Sequence, residues 1–205
     1  MGRGEHGRKD AILDQATQLF AERGYEGTSM ADLAERVGLR KASLFHHFAS
    51  KEQLRSAVLE RLVQRITTLI AEEAESKSAS TDYAQKLDAL TDAIVHVLGE
   101  QPFAARLLLR EAMEWDSSDG GTLAEALAGS LATGERFIQA GQAAGSFAPG
   151  DPKHIIASLM GMHLIPFAIG GVMDQFMGQA PWTPEFITAR RKVMREQVRA
   201  MLVRR

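Results

Sequence analysis

The run TSMADLAERVGLRKASLFHHFASKEQL, from Thr28 to Leu54, constrains the fold more than any other part of the chain. Leu33, Ala34 and Val37 fall on one face of a short helix, Gly38 breaks it, Leu39 plugs the turn, and Leu44 with Phe48 supplies the face of the next helix. Ala34 must be small because the second helix crosses close above it, and Gly38 can take the positive φ that a tight turn between helices demands. Together these positions satisfy the geometry of a helix-turn-helix. In such a unit the second helix lies in the major groove of DNA with its N-terminal residues toward the base edges. Here those residues are Arg40, Lys41, Ala42 and Ser43: cations for phosphate or guanine, a methyl for thymine, and a hydroxyl that both donates and accepts. Thr28 or Ser29 is expected to cap the first helix of the pair and face a phosphate, and Ser50-Lys51 to do the same at the fourth helix. Such contacts position a protein on DNA without reading its sequence.

Elsewhere apolar residues recur at spacings of three and four, and strand-like alternation is scarce, so the expected fold class is all-α. Ile12, Ala16, Leu19 and Phe20 make a first stripe that Gly24 ends. Short helices follow over about 30–37 and 41–47, and a fourth from Ser50 keeps Leu54, Val58, Leu62, Ile66, Leu69 and Ile70 on one face. Beyond the polar stretch 76–81 the pattern resumes with Leu87, Leu90, Ile94 and Leu98. Pro102 then opens a helix toward Trp115, residues 117–121 form a loop, and a helix from about Thr122 ends near Gly145. Asp151-Pro152 and Thr183-Pro184 each supply an N-cap followed by a proline at the first helical position. The expectation is about nine helices, with a DNA-binding unit over residues 1–50 and a second helical unit over 51–205.

A hydrophobic fraction of 45% in 205 residues suffices for a real core. The net charge of -2 gives no global sign of nucleic-acid binding, so that function must rest on a local surface. The absence of cysteine excludes a disulfide framework and thiol chemistry. Met1 to Asp10 is polar and charged, so no signal peptide is expected and the expected location is cytoplasmic. Ile155 to Met173 carries no Asp, Glu, Lys or Arg and approaches the roughly 20 residues of a spanning helix. It also holds Ser158, Gly161, His163, Pro166, Gly170 and Gly171, and stands alone in an otherwise amphipathic chain. The expectation is therefore burial between helices or across a subunit interface, and no membrane.

Residues 24 to 54 resemble the DNA-binding domain of the TetR/AcrR family of transcriptional regulators. The resemblance is carried by Gly24-Tyr25, Leu33-Ala34, Val37-Gly38, and Leu44-Phe45-His46-His47-Phe48 followed by Ser50-Lys51. Phe45 stands where members usually have a tyrosine whose hydroxyl often touches a phosphate. The resemblance implies a DNA surface of Thr28, Ser29, Arg40, Lys41, Ala42, Ser43, Phe45, His46 and Lys51. It also implies a homodimer built on the last two helices, here through Ile155, Leu159, Met162 and Ile169 against Phe186, Val193 and Val198. A small-molecule effector would occupy a cavity among the intervening helices, with Phe103, Met113, Trp115, Phe137, Met160, His163 and Phe167 as candidate wall residues. The implied function is a repressor of a pseudo-palindromic double-stranded operator, released by a small apolar ligand.

Other chemistries find less support. Adjacent His46 and His47 point about 100° apart on a helix and lack partners at ligand spacing, so no metal is expected. Glu111 and Glu114 lie one turn apart without Glu-x-x-His companions and are expected on a solvated acidic face. The cations Arg190, Arg191, Lys192, Arg195, Arg199, Arg204 and Arg205 suit a soluble helix end and its dipole. Arg3 to Lys9 directly precede the DNA-binding unit and could reach the minor groove as an arm. No G-x-S-x-G, H-E-x-x-H or phosphate-binding glycine loop is present, so neither a catalytic residue nor a cofactor is expected. Within regulation, the same head would serve an activator or a ligand-independent regulator. From another class, the alternative is a helical small-molecule binding protein or enzyme with an idle N-terminal motif.

Overall fold

A computed structural model describes residues 2–75, 82–101, 103–114 and 122–204. Its helices are α1 (Gly2–Arg23), α2 (Met30–Arg36), α3 (Lys41–His47), α4 (Lys51–Glu75), α5 (Tyr83–Glu100), α6 (Ala104–Met113), α7 (Thr122–Ala143), α8 (Pro152–Ala168), α9 (Gly170–Met177) and α10 (Pro184–Leu202). Among the described residues there is no strand. One isolated bridge, Phe147 to Val203, pins the C-terminus to the turn after α7. Pro102, Trp115, the polar stretch 76–81 and the loop at 117–121 lie outside the described residues.

The local signals act as expected. Gly24 follows α1 at φ 79° and Gly38 follows α2 at φ 66°. At the second turn the amide of Leu39 donates to the carbonyl of Ala34 at 2.8 Å. Ser29 closes a capping box on α2: its hydroxyl accepts from the amide of Asp32, while its own amide donates to the Asp32 carboxylate. Asp151 and Thr183 cap α8 and α10. The expected arm is helical, because α1 begins at Gly2.

One apolar cluster joins α1, α2 and α3 to Leu54, Val58, Leu59 and Leu62 of α4, Leu107 and Leu108 of α6, and Leu123 of α7. A second gathers α5, α7, α8 and α10 around Val95, Phe137, Phe147, Phe167, Phe186 and Met194. The first cluster runs across residue 50, so α4 belongs to the packing of both ends of the molecule.

The described residues hold ten helices where the sequence suggested about nine, because the segment expected as one interfacial helix is broken at Ile169. There α9 leaves α8 at 78°. Pro166, in the last turn of α8, has no N–H to give to the carbonyl of Met162 four residues earlier. Arg190 of α10 supplies the missing donor, its Nη2 donating to the Met162 carbonyl at 2.6 Å. The ring of Trp182 then covers Gly170, where a Cβ would lie 2.7 Å from Cζ3. Among the described residues no single helix is long and apolar enough to cross a membrane.

An orphaned buried carbonyl costs about 1–3 kcal/mol. Arg190→Leu should therefore lower the urea-measured unfolding free energy by about that much at fixed protein concentration. Adding Pro166→Ala, which returns an N–H to the helix, should recover part of the loss. Additive losses in the double variant would refute the assigned role of Arg190.

Candidate nucleic-acid interface and ligand cavity

Burial of Leu44 and Phe48 against the head core sets the exposed face of α3. Arg40, Lys41, Ala42, Phe45 and His46 are exposed and Ser43 is half-buried. Among the described residues neither Arg40 nor Lys41 is in an ion pair; the Lys41 ammonium lies 6.0 Å from the centroid of the Phe45 ring. Two expected phosphate contacts change. Thr28 is buried and its hydroxyl donates to the carbonyl of Gly24 at 2.9 Å, so it faces inward. The Ser29 hydroxyl donates to the Asp32 carboxylate at 2.6 Å, and this bond with the amide of Ser29 holds Asp32 below the usual carboxylate range.

Lys51 and Arg55, in the first turns of α4, both lie against the ring of Tyr25, at 4.1 and 4.7 Å from its centroid. The Tyr25 hydroxyl donates to Glu52 at 2.8 Å. Partial burial, then this bond and the Glu52 charge, push the phenol up to about 12. The Arg55 guanidinium also reaches α6, placing Nε 2.8 Å and Nη2 2.6 Å from one carboxylate oxygen of Glu111. The sequence places Glu111 on a solvated face. It is 2% exposed instead, because α6 turns it toward α4, and its Oε1 has no partner. Sequence reasoning missed this pair, since nothing near Glu111 in the chain signals a cation; Arg55 is fifty-six residues away.

Farther along α4, Val63 and Ile66 enter a cavity of about 200 Å³ formed with α5, α6, α7 and α8. Among the described residues its wall is apolar apart from Thr91, Ser130 and His163 and carries no Asp, Glu, Lys or Arg. Of the expected wall residues, Phe137, Met160 and His163 line it. Phe103 packs on the head-side core, Phe167 belongs to the core between α8 and α10, and Met113 is 79% exposed, so none of these three lines it. Leu108 and Ala112 of α6, and Leu87, Thr91 and Ile94 of α5, line it although the sequence did not mark them as wall residues. Their stripes are those of any core helix, and only the assembled bundle shows which side of the stripe is left empty.

Residues 12–58 match the family model for bacterial regulatory proteins of the tetR family. The chain carries a tetR-family N-terminal domain over residues 12–58. Among curated relatives, the transcriptional repressor ComR of Escherichia coli K12 is 42% identical over 80 residues. That match covers 37% of this chain and 38% of ComR, so the chain spans well under half of that relative's length. Among solved structures, the ketosteroid transcriptional regulator KstR2 of Mycobacterium tuberculosis superposes with a TM-score of 0.76 at 18% identity, over 97% of this chain and 96% of its own. AibR, solved with isovaleryl coenzyme A and operator DNA, superposes with a TM-score of 0.67 at 23% identity, over 93% and 97%. At these identities the structural likeness is one of fold.

The helical body places its expected dimer residues unevenly. Phe186 and Val198 are buried in the protomer's own core, and Ile155, Leu159 and Met162 pack partly against it, because α10 lies along α5. Ile169 is half-buried at the break, and only Val193 stands exposed. The apolar surface instead comprises Met160, Ile165, Val172, Phe176, Met177 and Trp182, with Phe176 82% exposed. The cations of α10 are largely paired: Arg191 and Arg195 reach Asp92, and Arg199 grips Asp88 with two hydrogen bonds of 2.8 and 2.6 Å.

Removing Arg55 leaves Glu111 as an uncompensated buried charge, so Arg55→Ala should cost about 3 kcal/mol or more of stability. His163 sets a second expectation. Burial lowers its pKa to about 4, opposed by the hydrogen bond to the Leu159 carbonyl and reinforced by the Arg190 charge. The unfolded imidazole protonates near 6.5. Its contribution is therefore complete above that pH and falls as pH drops toward 4, by on the order of 3 kcal/mol. Denaturation between pH 7 and 4 should show this slope, and His163→Leu should flatten it.

Proposed function

We propose that the protein is a cytoplasmic homodimeric transcriptional repressor that grips a pseudo-palindromic operator and releases it when a small apolar molecule fills the cavity. The DNA surface is Arg40, Lys41, Ala42, Ser43, Phe45, His46 and Lys51, with the head over residues 1–50 and the ligand-binding and dimerisation domain over 51–205. The observation that carries the reading is the position of α6, which puts Leu108 and Ala112 on the cavity wall and Glu111 on Arg55 beneath the head.

A second copy is the natural cover for the apolar surface of α8 and α9. On the same stretch Gly161 and Gly171 have open space where a Cβ would stand, leaving room for close helix approach. Repression requires the two α3 helices to sit about 34 to 36 Å apart, one turn of DNA. A ligand that displaces α6 acts through Glu111 on Arg55, and so on the start of α4 and on Tyr25. Induction needs a coupling of about 1–3 kcal/mol between cavity and DNA.

The test is binding to a fluorescent fragment of DNA from upstream of the protein's own gene, over a salt series with nonspecific competitor. Competitor-resistant binding at two protomers or a multiple per site is expected. Lys41→Ala with Lys51→Ala should weaken it and flatten the slope of log K against log salt by about 1 for each phosphate that is no longer neutralised. Unchanged affinity and slope would remove these residues from the interface. Once an effector is in hand, operator DNA must weaken its binding by the factor by which it weakens DNA binding, and equal affinity with and without DNA would exclude induction.

A further inference from the structure

His163 of α8 is buried on the cavity wall, and its ring hydrogen bonds are unequal. Nδ1 lies 2.8 Å from the Leu159 carbonyl. A carbonyl only accepts, so Nδ1 carries the proton, and in a neutral imidazole the other nitrogen is then an acceptor with a bare lone pair. That nitrogen, Nε2, has no partner, and His163 is the only wall residue among the described ones with such a buried unpaired side-chain atom. The neighbouring polar side chain Ser130 is already hydrogen-bonded to Thr67. A buried acceptor without a donor is costly, and a bound molecule that brings a donor removes the cost.

The rest of the wall narrows the chemistry. Among the described residues no cation lines the cavity, so a carboxylate or phosphate would enter without a counter-charge. Burial and the nearby Arg190 guanidinium keep the imidazole neutral, and one Nη of that guanidinium is held by the Met162 carbonyl. An ether or ketone would oppose lone pair to lone pair at Nε2. The volume of about 200 Å³ suits a small molecule, since a dry apolar cavity of roughly 150 Å³ holds benzene.

We propose that the effector is a neutral, substituted-benzene-sized molecule with an apolar body and one hydroxyl, a phenol or small alcohol, whose O–H donates to His163 Nε2. This rests on the reading of the cavity as the effector site. His163 would then set specificity by accepting one hydrogen bond, while the leucines and isoleucines around it accept any apolar shape that fits.

The test compares 4-ethylphenol with 4-ethyltoluene, which differ by a hydroxyl in place of a methyl, by calorimetric titration of the full-length protein. Wild type should bind 4-ethylphenol about tenfold or more tightly than 4-ethyltoluene. His163→Leu should abolish or invert that preference, and His163→Gln, which keeps an acceptor, should retain part of it. Equal binding of the two compounds by wild type, or tighter binding of 4-ethyltoluene, overturns the proposal and leaves the effector cavity standing. A phenol preference that survives in His163→Leu also overturns it, by assigning the acceptor elsewhere. Failure of both compounds to bind overturns the cavity reading and this proposal together, whereas the DNA titration above tests the head independently. In the wild type, a change in the His163 imidazole 15N resonances with 4-ethylphenol but not with 4-ethyltoluene is the corresponding signature without a variant.

Discussion

Arg55 and Glu111 form an ion pair largely withdrawn from water, and the joint between head and helical body is organised around it. One carboxylate oxygen takes two guanidinium nitrogens, and the same guanidinium lies over Tyr25, the aromatic residue that follows the turn out of α1. Coulombic attraction is strong in such a place because little water screens it, and breaking the pair is costly for the same reason. α6 is therefore fastened on one side to the start of α4 and faces the cavity on the other with Leu108 and Ala112. Glu111 keeps one oxygen without a partner, so the joint is tied at a single oxygen rather than two.

How a chain of net charge -2 can leave cations unpaired on α3 follows from where its acids sit. Many meet basic residues of the body: Asp14 of α1 with Arg61, Glu100 with Arg65, Asp92 with Arg191 and Arg195, Asp88 with Arg199. On α3, Arg40 and Lys41 meet none among the described residues. The fields of paired charges cancel over short distances and those of unpaired ones persist to about a Debye length, so the two cations at the start of α3 act locally in a way that the total charge conceals.

Along α8 one imino acid sets several features at once. Pro166 leaves the Met162 carbonyl without its helical donor, Arg190 fills the vacancy, and the partly buried guanidinium then helps to keep His163 neutral. A break three residues after the proline turns α9 outward at 78°, which leaves Val172 and Phe176 in solvent. The apolar, uncharged stretch that resembles a single long helix in sequence is therefore a cavity wall, a core contact and an exposed surface in succession.

What was legible in the sequence was local. The helix-turn-helix, the positive-φ glycines at 24 and 38, the capping of α2 by Ser29 and the proline-started helices α8 and α10 all depend on residues within about five positions of one another. Backbone sterics and short hydrogen bonds decide such features wherever the segment lies. The burial of Glu111 and Thr28, the inward facing of Phe186 and Val198, the empty side of the α5 and α6 stripes and the pairing of Arg190 with Met162 were decided only by the packed bundle. Apolar spacing marks which face of a helix avoids water, but a helix enclosed by several neighbours can turn that face to a core, a cavity or another subunit. The choice among them depends on contacts between residues tens of positions apart.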